Sequence, residues 1–199
     1  DVGIVNVEAL ASQAGKYVWF DERNWYMAKM SVSPAALPML ARHTAAVLAA
    51  RIGFSRRCLV LDLDNTLWGG VIGDDGIGGL TLGDGPDGEA YLDFQRAIKE
   101  LNSRGIILAV CSKNDPQIAR EPFLSHPEMI LKLDDIAAFV ANWRTKSENI
   151  LEIARTLNPG LDSLTFVDDN PYERAEVQKA LPQVDIIPLP PEPTGFRRA

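Results

Sequence analysis

The stretch RCLVLDLDNTLWGG, residues 57–70, ends an apolar run with two aspartates, Asp62 and Asp64. The apolar residues from Cys58 to Leu61 are typical of a strand that is buried on both faces. Residues two apart on a strand point the same way, so this spacing sets two carboxylates side by side. Neighbouring carboxylates repel each other unless a cation or a shared proton relieves them. The stretch therefore predicts a buried strand, Cys58 to Asp62, that ends at a charged rim built to hold a ligand.

Apolar and helical segments alternate along the rest of the chain. Continuous apolar runs between helices favour a parallel sheet that is covered on both faces. The alternation predicts an α/β fold, a doubly wound parallel sheet of the Rossmann-like kind. The further predicted strands are 105–112, 129–133, 163–169 and 184–189, and the predicted helices are 89–102, 145–157, 170–181 and one that begins at Asp115-Pro116.

The segment before the core has a different character. We assign residues 1–52 to an N-terminal extension and residues 53–190 to the core. Ser33 as an N-cap and Pro34 at the first helical position predict a helix over about 34–51. The part before this helix has no clear periodicity and receives no assignment.

Two short segments bear on access to the rim. The glycine-rich segment 68–85 predicts a small hairpin or flap. Segment 113–145 has room for one helix, one strand and a connection, so we expect no large cap domain. The tail, residues 191–199, has the proline-rich composition of a linker.

The composition excludes several classes of function. The chain has 199 residues and a formal net charge of −7, whereas nucleic acids are bound by basic surfaces, so we expect no nucleic-acid partner. We also expect no membrane association, because no apolar run approaches the roughly 20 residues that a membrane-spanning helix needs. Two cysteines, Cys58 and Cys111, make no disulfide framework, which favours a cytoplasmic protein.

The carboxyl ends of the predicted strands carry the candidate functional residues, because ligands of such folds bind there. Four carboxylates held together without a cation would destabilise the fold by several kcal/mol. Mg²⁺ takes oxygen ligands from carboxylates, water and substrate phosphate, so the rim predicts a Mg²⁺ site with an anionic ligand. The residues at this rim are Asp62, Asp64, Cys111, Ser112, Lys113, Lys146, Asp168 and Asp169.

Four short motifs, in order, resemble those of the haloacid dehalogenase superfamily of phosphotransferases. DLDNT at residues 62–66 resembles the first motif, Ser112 the second, Lys146 the third and Asp168-Asp169 the fourth. The resemblance implies the Rossmann-like core of that superfamily, with Mg²⁺ as the cofactor.

The same resemblance implies a role for each motif residue. Asp62 would be the nucleophile that becomes an aspartyl-phosphate, and Asp64 the general acid and base. Cys111, Ser112 and Lys146 complete the implied catalytic set. The implied substrate- and phosphate-binding residues are Thr66, Ser112, Lys113, Asn114 and Lys146, although a turn also explains Asn114. The implied metal ligands are Asp62, the backbone carbonyl of Asp64, Asp168 and Asp169, with Asp169 as a ligand or an outer residue.

Longer segments resemble the FkbH-like subgroup, whose members move a glyceryl unit from 1,3-bisphosphoglycerate to an acyl carrier protein in polyketide assembly. The resemblance implies that substrate and that partner, and that the chain is part of a larger multidomain synthase. The segments are YMAKMSVSP at 26–34, LDLDNTLWGGVIGDDG at 61–76, LAVCSKND at 108–115, HPEMILKLDD at 126–135 and FVDDNPYER at 166–174.

Cys111 has two interpretations. Buried cysteines usually act as small apolar side chains. The neighbouring Lys113, a metal and the helix start at Pro116 would instead lower the pKa of the thiol. Under the subgroup resemblance we expect Cys111 to accept the glyceryl group as a thioester. We expect the acidic carrier protein to dock on basic residues, namely Arg56, Arg57, Lys113 and Arg144.

Two other functions remain open from the sequence. One is a plain phosphatase of the same superfamily that acts on a small phosphoester or a phosphoprotein, with Cys111 inert. The other is a non-catalytic module that binds a carrier protein.

Overall fold

The structure is a computed structural model that describes residues 3–53 and 56–199. The chain divides into two compact units, Asp1–Ser55 and Arg56–Ala199. The predicted border between residues 52 and 53 lies beside residues 54–55, which are outside the described part, so the domain limits stay a prediction.

Within residues 3–53 the chain forms four helices with a small apolar core. The core consists of Leu10, Ala11, Trp19 and Ala36. Three of the helices lie in the segment for which the sequence had suggested no assignment. The helices are α1 Val7–Ala14, α2 Lys16–Trp19, α3 Glu22–Ala28 and α4 Leu37–Arg51.

Helix α4 begins three residues later than predicted. Its N-cap is Ala36, and Ser33 instead stabilises the preceding turn. The Ser33 hydroxyl donates to the carbonyl of Val18 at 2.5 Å and accepts from the Ala36 amide at 3.3 Å. Ser33 thus caps a turn and not the helix, because its hydroxyl bonds to the carbonyl of Val18 in α2.

The second unit contains the strands. Their bounds, with those of the helices between them, are β1 Cys58–Leu61, α5 Ile72–Gly79, α6 Gly85–Ser103, β2 Ile107–Ser112, α7 Glu121–Ser125, β3 Ile136–Ala141, α8 Lys146–Leu157, β4 Leu164–Asp168, α9 Pro171–Ala180 and β5 Asp185–Pro188. Short 3-10 turns lie at Ile118–Arg120, Leu133–Asp135, Leu161–Ser163 and Pro193–Arg198.

The five strands form one sheet in the order β3-β2-β1-β4-β5. All four pairings are parallel, and Cys58 at the start of β1 pairs with Ile107 on one side and Leu164 on the other. The predicted doubly wound parallel sheet is confirmed. β1 is central, so the residues that follow it emerge between the ends of β2 and β4.

Alternation along the strands sends side chains to two separate cores. Leu59 and Leu61 of β1 join the core beneath α6, whereas Cys58 and Val60 join the core beneath α8 and α9. Cys111 of β2 belongs to the second core. The period of two along a strand therefore decides which residues near the strand ends can reach the rim.

The third strand lies seven residues later in the chain than predicted. The prediction placed it at 129–133, but β3 is Ile136–Ala141. In the predicted segment, the Gln95 side-chain oxygen accepts from the backbone amides of Ile130 at 3.0 Å and Leu131 at 3.2 Å. These donors are satisfied by a side chain of α6, so the segment passes the sheet without joining it.

The glycine-rich segment after β1 is a closed loop that contains a short helix. Gly69 and Thr81 form an antiparallel bridge, with N–O distances of 3.0 and 2.8 Å, and α5 lies between them. The predicted hairpin is thus limited to one bridge, and the flap stays a prediction. Within residues 56–199, neither this segment nor 113–145 contains a further domain, as expected.

The tail is packed and not linker-like. Phe196 is only 4% exposed, and its ring meets the rings of Tyr91 and Phe94 edge-on, at centroid distances of 5.8 and 5.5 Å. Arg197 adds an ion pair with Asp93 at 2.6 Å. The proline-rich composition gave no sign that one aromatic side chain, that of Phe196, packs on α6.

We expect Phe196→Ala to lower the free energy of unfolding by about 3 kcal/mol, because it removes a buried ring and leaves a gap on α6. Arg198→Ala, at an exposed neighbouring position, is the matched control and should change that free energy by less than about 0.5 kcal/mol. Urea denaturation followed by circular dichroism measures both. Equal unfolding midpoints for the two variants would contradict the packed tail.

Candidate active site

The chain turns sharply where β1 ends, and this turn presents the two acids. β1 stops at Leu61, so both Asp62 and Asp64 follow the strand. The sequence had placed Asp62 on the strand, as its last residue. Asn65 has a positive φ of 55°, a conformation that asparagine tolerates better than most residues. Its side-chain oxygen accepts from the Gly70 amide at 2.9 Å and fixes the turn.

A cavity of about 190 Å³ lies where β1, β2 and β4 end. Most of the residues that the sequence placed at the rim line it. The lining residues are Asp62, Asp64, Asn65, Ser112, Lys113, Lys146, Asp168, Asp169, Asn170 and Glu173.

Lys146 is the cation at the centre of this cavity. It is the first residue of α8, whose start is fixed by a capping box between Thr145 and Glu148. Its Nζ donates to Asp62 Oδ1 at 2.5 Å and to the carbonyl of Cys111 at 2.8 Å, and lies 3.0 Å from Asp168 Oδ2. Burial alone would lower the pKa of Lys146, but the two carboxylates raise it above its ordinary value. The side chain therefore stays charged although it is only 2% exposed.

Three of the four predicted acids form a group that could hold a metal ion. One carboxylate oxygen from each of Asp62, Asp168 and Asp169 lies within 4.8 Å of the other two. Asp168 Oδ2 is buried and, among the described residues, accepts no hydrogen bond, despite the nearby ammonium of Lys146. A buried carboxylate oxygen whose one close partner is the Lys146 ammonium can also bind a hard cation such as Mg²⁺.

The electrostatics of these acids also favour a cation. Burial raises the pKa of Asp62, Asp168 and Asp169, and for Asp168 it reaches about 6. The charge of Asp62 adds to the shift of Asp168, while Lys146 opposes it. One ammonium does not neutralise three carboxylates, and a divalent cation would hold them ionised.

Asp64 is held by three N–H donors. Its Oδ1 accepts from Trp68 Nε1 and from the Ile72 amide, both at 3.0 Å, and its Oδ2 accepts from Asn114 Nδ2 at 3.0 Å. Burial raises the pKa of Asp64, and the three hydrogen bonds oppose that rise. The carboxylate lies outside the group of three that could bind metal. Its position suits an acid that exchanges a proton with a ligand in the cavity.

Three of the predicted phosphate-binding residues line the cavity, namely Ser112, Lys113 and Lys146. Lys113 is not free there, because its Nζ donates to Glu173 at 2.6 Å. Glu173 itself was missed by the sequence analysis, and only its place two residues after Pro171, in the first turn of α9, could have indicated it.

Thr66 and Asn114 support the site from behind. Neither belongs to the cavity lining, so their contact with substrate stays a prediction. Thr66 Oγ1 accepts from the Asp169 amide at 3.1 Å, and Asn114 donates to Asp64. Both side chains are buried and use their polar atoms to fix an acid.

Arg174 is another supporting residue that the sequence analysis missed. Its Nη1 donates to the carbonyls of Asp168 at 2.6 Å and Asp169 at 2.7 Å. These two bonds fix the backbone between β4 and α9, and with it the direction of both acids. The sequence signal was only that an arginine follows the acids at a distance that one helical turn can span.

Cys111 does not reach the cavity. It is fully buried in the core beneath α8, and its Sγ lies 3.8 Å from the carbonyl of Lys146. Burial raises the pKa of its thiol to about 12, more than Lys146 lowers it. The expectation of a lowered thiol pKa is wrong, because the strand points Cys111 into the core while the next residue, Ser112, points to the cavity.

Among solved structures, the chain is similar to the N-terminal part of the protein BF1531 from Bacteroides fragilis, described as containing a phosphatase domain complexed with Mg. The two share 46% sequence identity with a TM-score of 0.92, over 96% of this chain and 51% of the other. This chain thus spans about half the length of that structure.

Two further structures match the chain at much lower identity. One is a hydrolase of the HAD superfamily from Geobacter sulfurreducens, with 14% identity and a TM-score of 0.45 over 71% of this chain and 98% of the other. The second is a HAD family enzyme from Bacteroides thetaiotaomicron, with 10% identity and a TM-score of 0.47 over 68% and 94%. No model of a protein family matches the chain, and no curated protein does.

We expect iodoacetamide to label neither cysteine of the native protein near neutral pH, since burial raises the pKa of Cys58 to about 11 and that of Cys111 to about 12. Both should react after unfolding in urea, which serves as the control. Mass spectrometry of tryptic peptides measures the extent of labelling. Rapid labelling of Cys111 alone in the native protein would show that its burial is transient.

Proposed function

We propose that this chain carries a domain of the haloacid dehalogenase superfamily and that it is a Mg²⁺-dependent phosphatase that works through an aspartyl-phosphate. The observation that carries the proposal is the position of Asp62. This carboxylate lies in the cavity, paired with a buried lysine and grouped with two further carboxylates. An ion pair with a purely structural role would not need the two additional carboxylates.

The metal-binding residues in this proposal are Asp62, Asp168 and Asp169. Their carboxylate oxygens fit a hard divalent cation, and the similar domain from B. fragilis was crystallised with Mg. When bound, Mg²⁺ would supply positive charge against the negative charge of a phosphoryl group and of the acids.

The first half of the reaction forms the intermediate on Asp62. A carboxylate oxygen of Asp62 forms a bond to phosphorus while the bond from phosphorus to the leaving oxygen breaks. Asp64 gives its proton to the leaving oxygen, which its raised pKa favours. In the second half, Asp64 takes a proton from water, whose oxygen attacks phosphorus and releases phosphate and Asp62.

The remaining cavity residues position and neutralise the phosphoryl group. Lys146 holds Asp62 in place and offers a charge that does not titrate near neutral pH. Ser112 offers a hydroxyl at the end of β2. Positioning and neutralisation account for most of the rate gain in phosphoryl transfer, so this inventory is sufficient for the chemistry.

Glyceryl transfer from 1,3-bisphosphoglycerate to an acyl carrier protein is the second candidate function. It is supported by the segments that resemble the FkbH-like subgroup and by the absence of a further domain over the cavity within residues 56–199. The buried thiol of Cys111 argues against a thioester at that position in the conformation described. A larger synthase and a cytoplasmic location belong to this candidate.

Across the described residues, no helix is both long and apolar enough to cross a membrane.

Three of the four basic residues expected to dock a carrier protein already form ion pairs with acids of this chain. Arg56 precedes β1, at the opposite end of the sheet, and pairs with Asp185 at 3.3 Å. Lys113 pairs with Glu173, and Arg144 pairs with Glu152. A carrier protein would have to displace existing ion pairs, so the docking hypothesis gains no support here.

We expect Asp62→Asn to abolish phosphate release from phenyl phosphate in the presence of Mg²⁺, by at least ~10³-fold, because an amide cannot attack phosphorus. Chelation with EDTA should give the same loss, and added Mg²⁺ should restore activity. Asp134→Asn, at an exposed position outside the cavity, is the matched control and should keep full activity. Activity retained by Asp62→Asn would refute the aspartyl-phosphate mechanism.

Intact-mass spectrometry after incubation with Mg²⁺ and 1,3-bisphosphoglycerate separates the two candidates. We expect at most a short-lived phosphoryl adduct, absent in Asp62→Asn, because the thiol of Cys111 is buried. A stable glyceryl adduct that disappears in Cys111→Ser would instead establish the glyceryl transfer. Loss of the same adduct in Cys58→Ser would point to nonspecific acylation.

A further inference from the structure

Among the residues that the structure describes, five carboxylates and two ammonium groups line the active-site cavity. The charged lining residues are Asp62, Asp64, Lys113, Lys146, Asp168, Asp169 and Glu173. In the proposed reaction the three metal-binding acids, Lys146 and Mg²⁺ form one group whose charges balance, and Asp64 exchanges the proton. Lys113 and Glu173 are the charged groups of this lining that have no part in that chemistry.

Lys113 and Glu173 form an ion pair with each other. The Nζ of Lys113 lies 2.6 Å from a carboxylate oxygen of Glu173, and the two side chains are 36% and 19% exposed. Lys113 directly follows β2, and Glu173 lies in the first turn of α9, which follows β4. Because β1 lies between β2 and β4, the pair links the two neighbours of the strand that leads to Asp62.

This pair leaves little positive charge in the cavity for a second anion. The charges of Lys146 and Mg²⁺ would be shared between the acids and the phosphoryl group of a substrate. Lys113 could hold a further anionic group, but Glu173 already neutralises its ammonium. A carboxylate or second phosphate close to the phosphoryl group would have to displace Glu173 or face its charge, and like charges at short range repel.

We propose that Glu173 is a specificity-determining residue: by holding Lys113, it makes the site select phosphate monoesters whose leaving group carries no second anionic group. The proposal rests on the proposed phosphatase function. The chemistry at Asp62 is the same for every ester, and the ion pair beside it selects among them by charge. Since the pair is partly exposed, the preference is a matter of degree.

Two esters that differ by one charge test the proposal. Glycerol 3-phosphate and 3-phosphoglycerate share their carbon frame, but one ends in a hydroxymethyl group and the other in a carboxylate. With Mg²⁺ present, kcat/KM of the native protein should be roughly 10-fold higher for glycerol 3-phosphate, and Glu173→Gln should remove this preference by releasing the charge of Lys113. Glu152→Gln is the matched control, because it removes the same charge from an exposed ion pair outside the cavity and should leave the preference unchanged.

The double variant Lys113→Gln, Glu173→Gln tests whether the selection works through Lys113. It has neither charge of the pair, so the preference for glycerol 3-phosphate should return. A preference that stays lost in the double variant, or one that Glu173→Gln leaves unchanged, would overturn the proposal. The effect of Glu173→Gln should also weaken at about 0.5 M NaCl, whereas a change of shape would not respond to salt. Melting temperatures check that all variants are folded.

A binding measurement separates this proposal from the proposed function. The phosphonates 3-hydroxypropylphosphonate and 2-carboxyethylphosphonate differ by the same single charge, and their carbon–phosphorus bond is not hydrolysed. With Mg²⁺ present, titration calorimetry should show roughly 10-fold tighter binding of the first, and Glu173→Gln should remove the difference. Equal affinities in the native protein would overturn the selection even in an active phosphatase. A difference in affinity without release of phosphate from either ester would sustain the selection and refute the phosphatase.

Discussion

The ammonium of Lys146, buried between Asp62 and Asp168, is the interaction on which the site depends. Removing a lysine from water is costly, and its close carboxylate partners are what keep it charged. The same contacts tie the start of α8 to the ends of β1 and β4. Without the ammonium, buried carboxylates would face one another with no positive charge between them. The site and the packing of α8 therefore share one electrostatic requirement.

Much of the fold could be predicted from local sequence signals. The errors in that prediction come from contacts between residues that are far apart in the chain. The strands that flank the site were predicted because their apolar runs are continuous and their neighbours are helical. The segment 129–133 is equally apolar, but Gln95 binds its backbone, so Ile136–Ala141 becomes the strand. The composition of the tail suggests a linker, but Phe196 packs against α6. The residues next to Gln95 and Phe196 in the sequence give no indication of these contacts.

The acids of the site were predictable from their place at strand ends, whereas the roles of their neighbours were not. Cys111 and Ser112 are adjacent, but the pleat sends one to the core and the other to the cavity. Asn114 and Thr66 carry polar groups that could serve substrate, yet geometry directs them to Asp64 and to the Asp169 amide. Motif order locates a rim. The direction in which each side chain points depends on its position along the strand, and the order of the motifs does not specify that position.

The central position of β1 has a consequence for the order in which the molecule is made. Cys58 pairs with Leu164, so the central strand lacks one neighbour until the chain has been synthesised as far as β4. The loop that closes this pairing is long, and such contacts form slowly. Asp62 and Asp168 reach each other only through that same closure. During synthesis Asp62 therefore lacks Asp168 until the chain has been made beyond that residue, so the pairing of β1 with β4 and the assembly of the site depend on the same event.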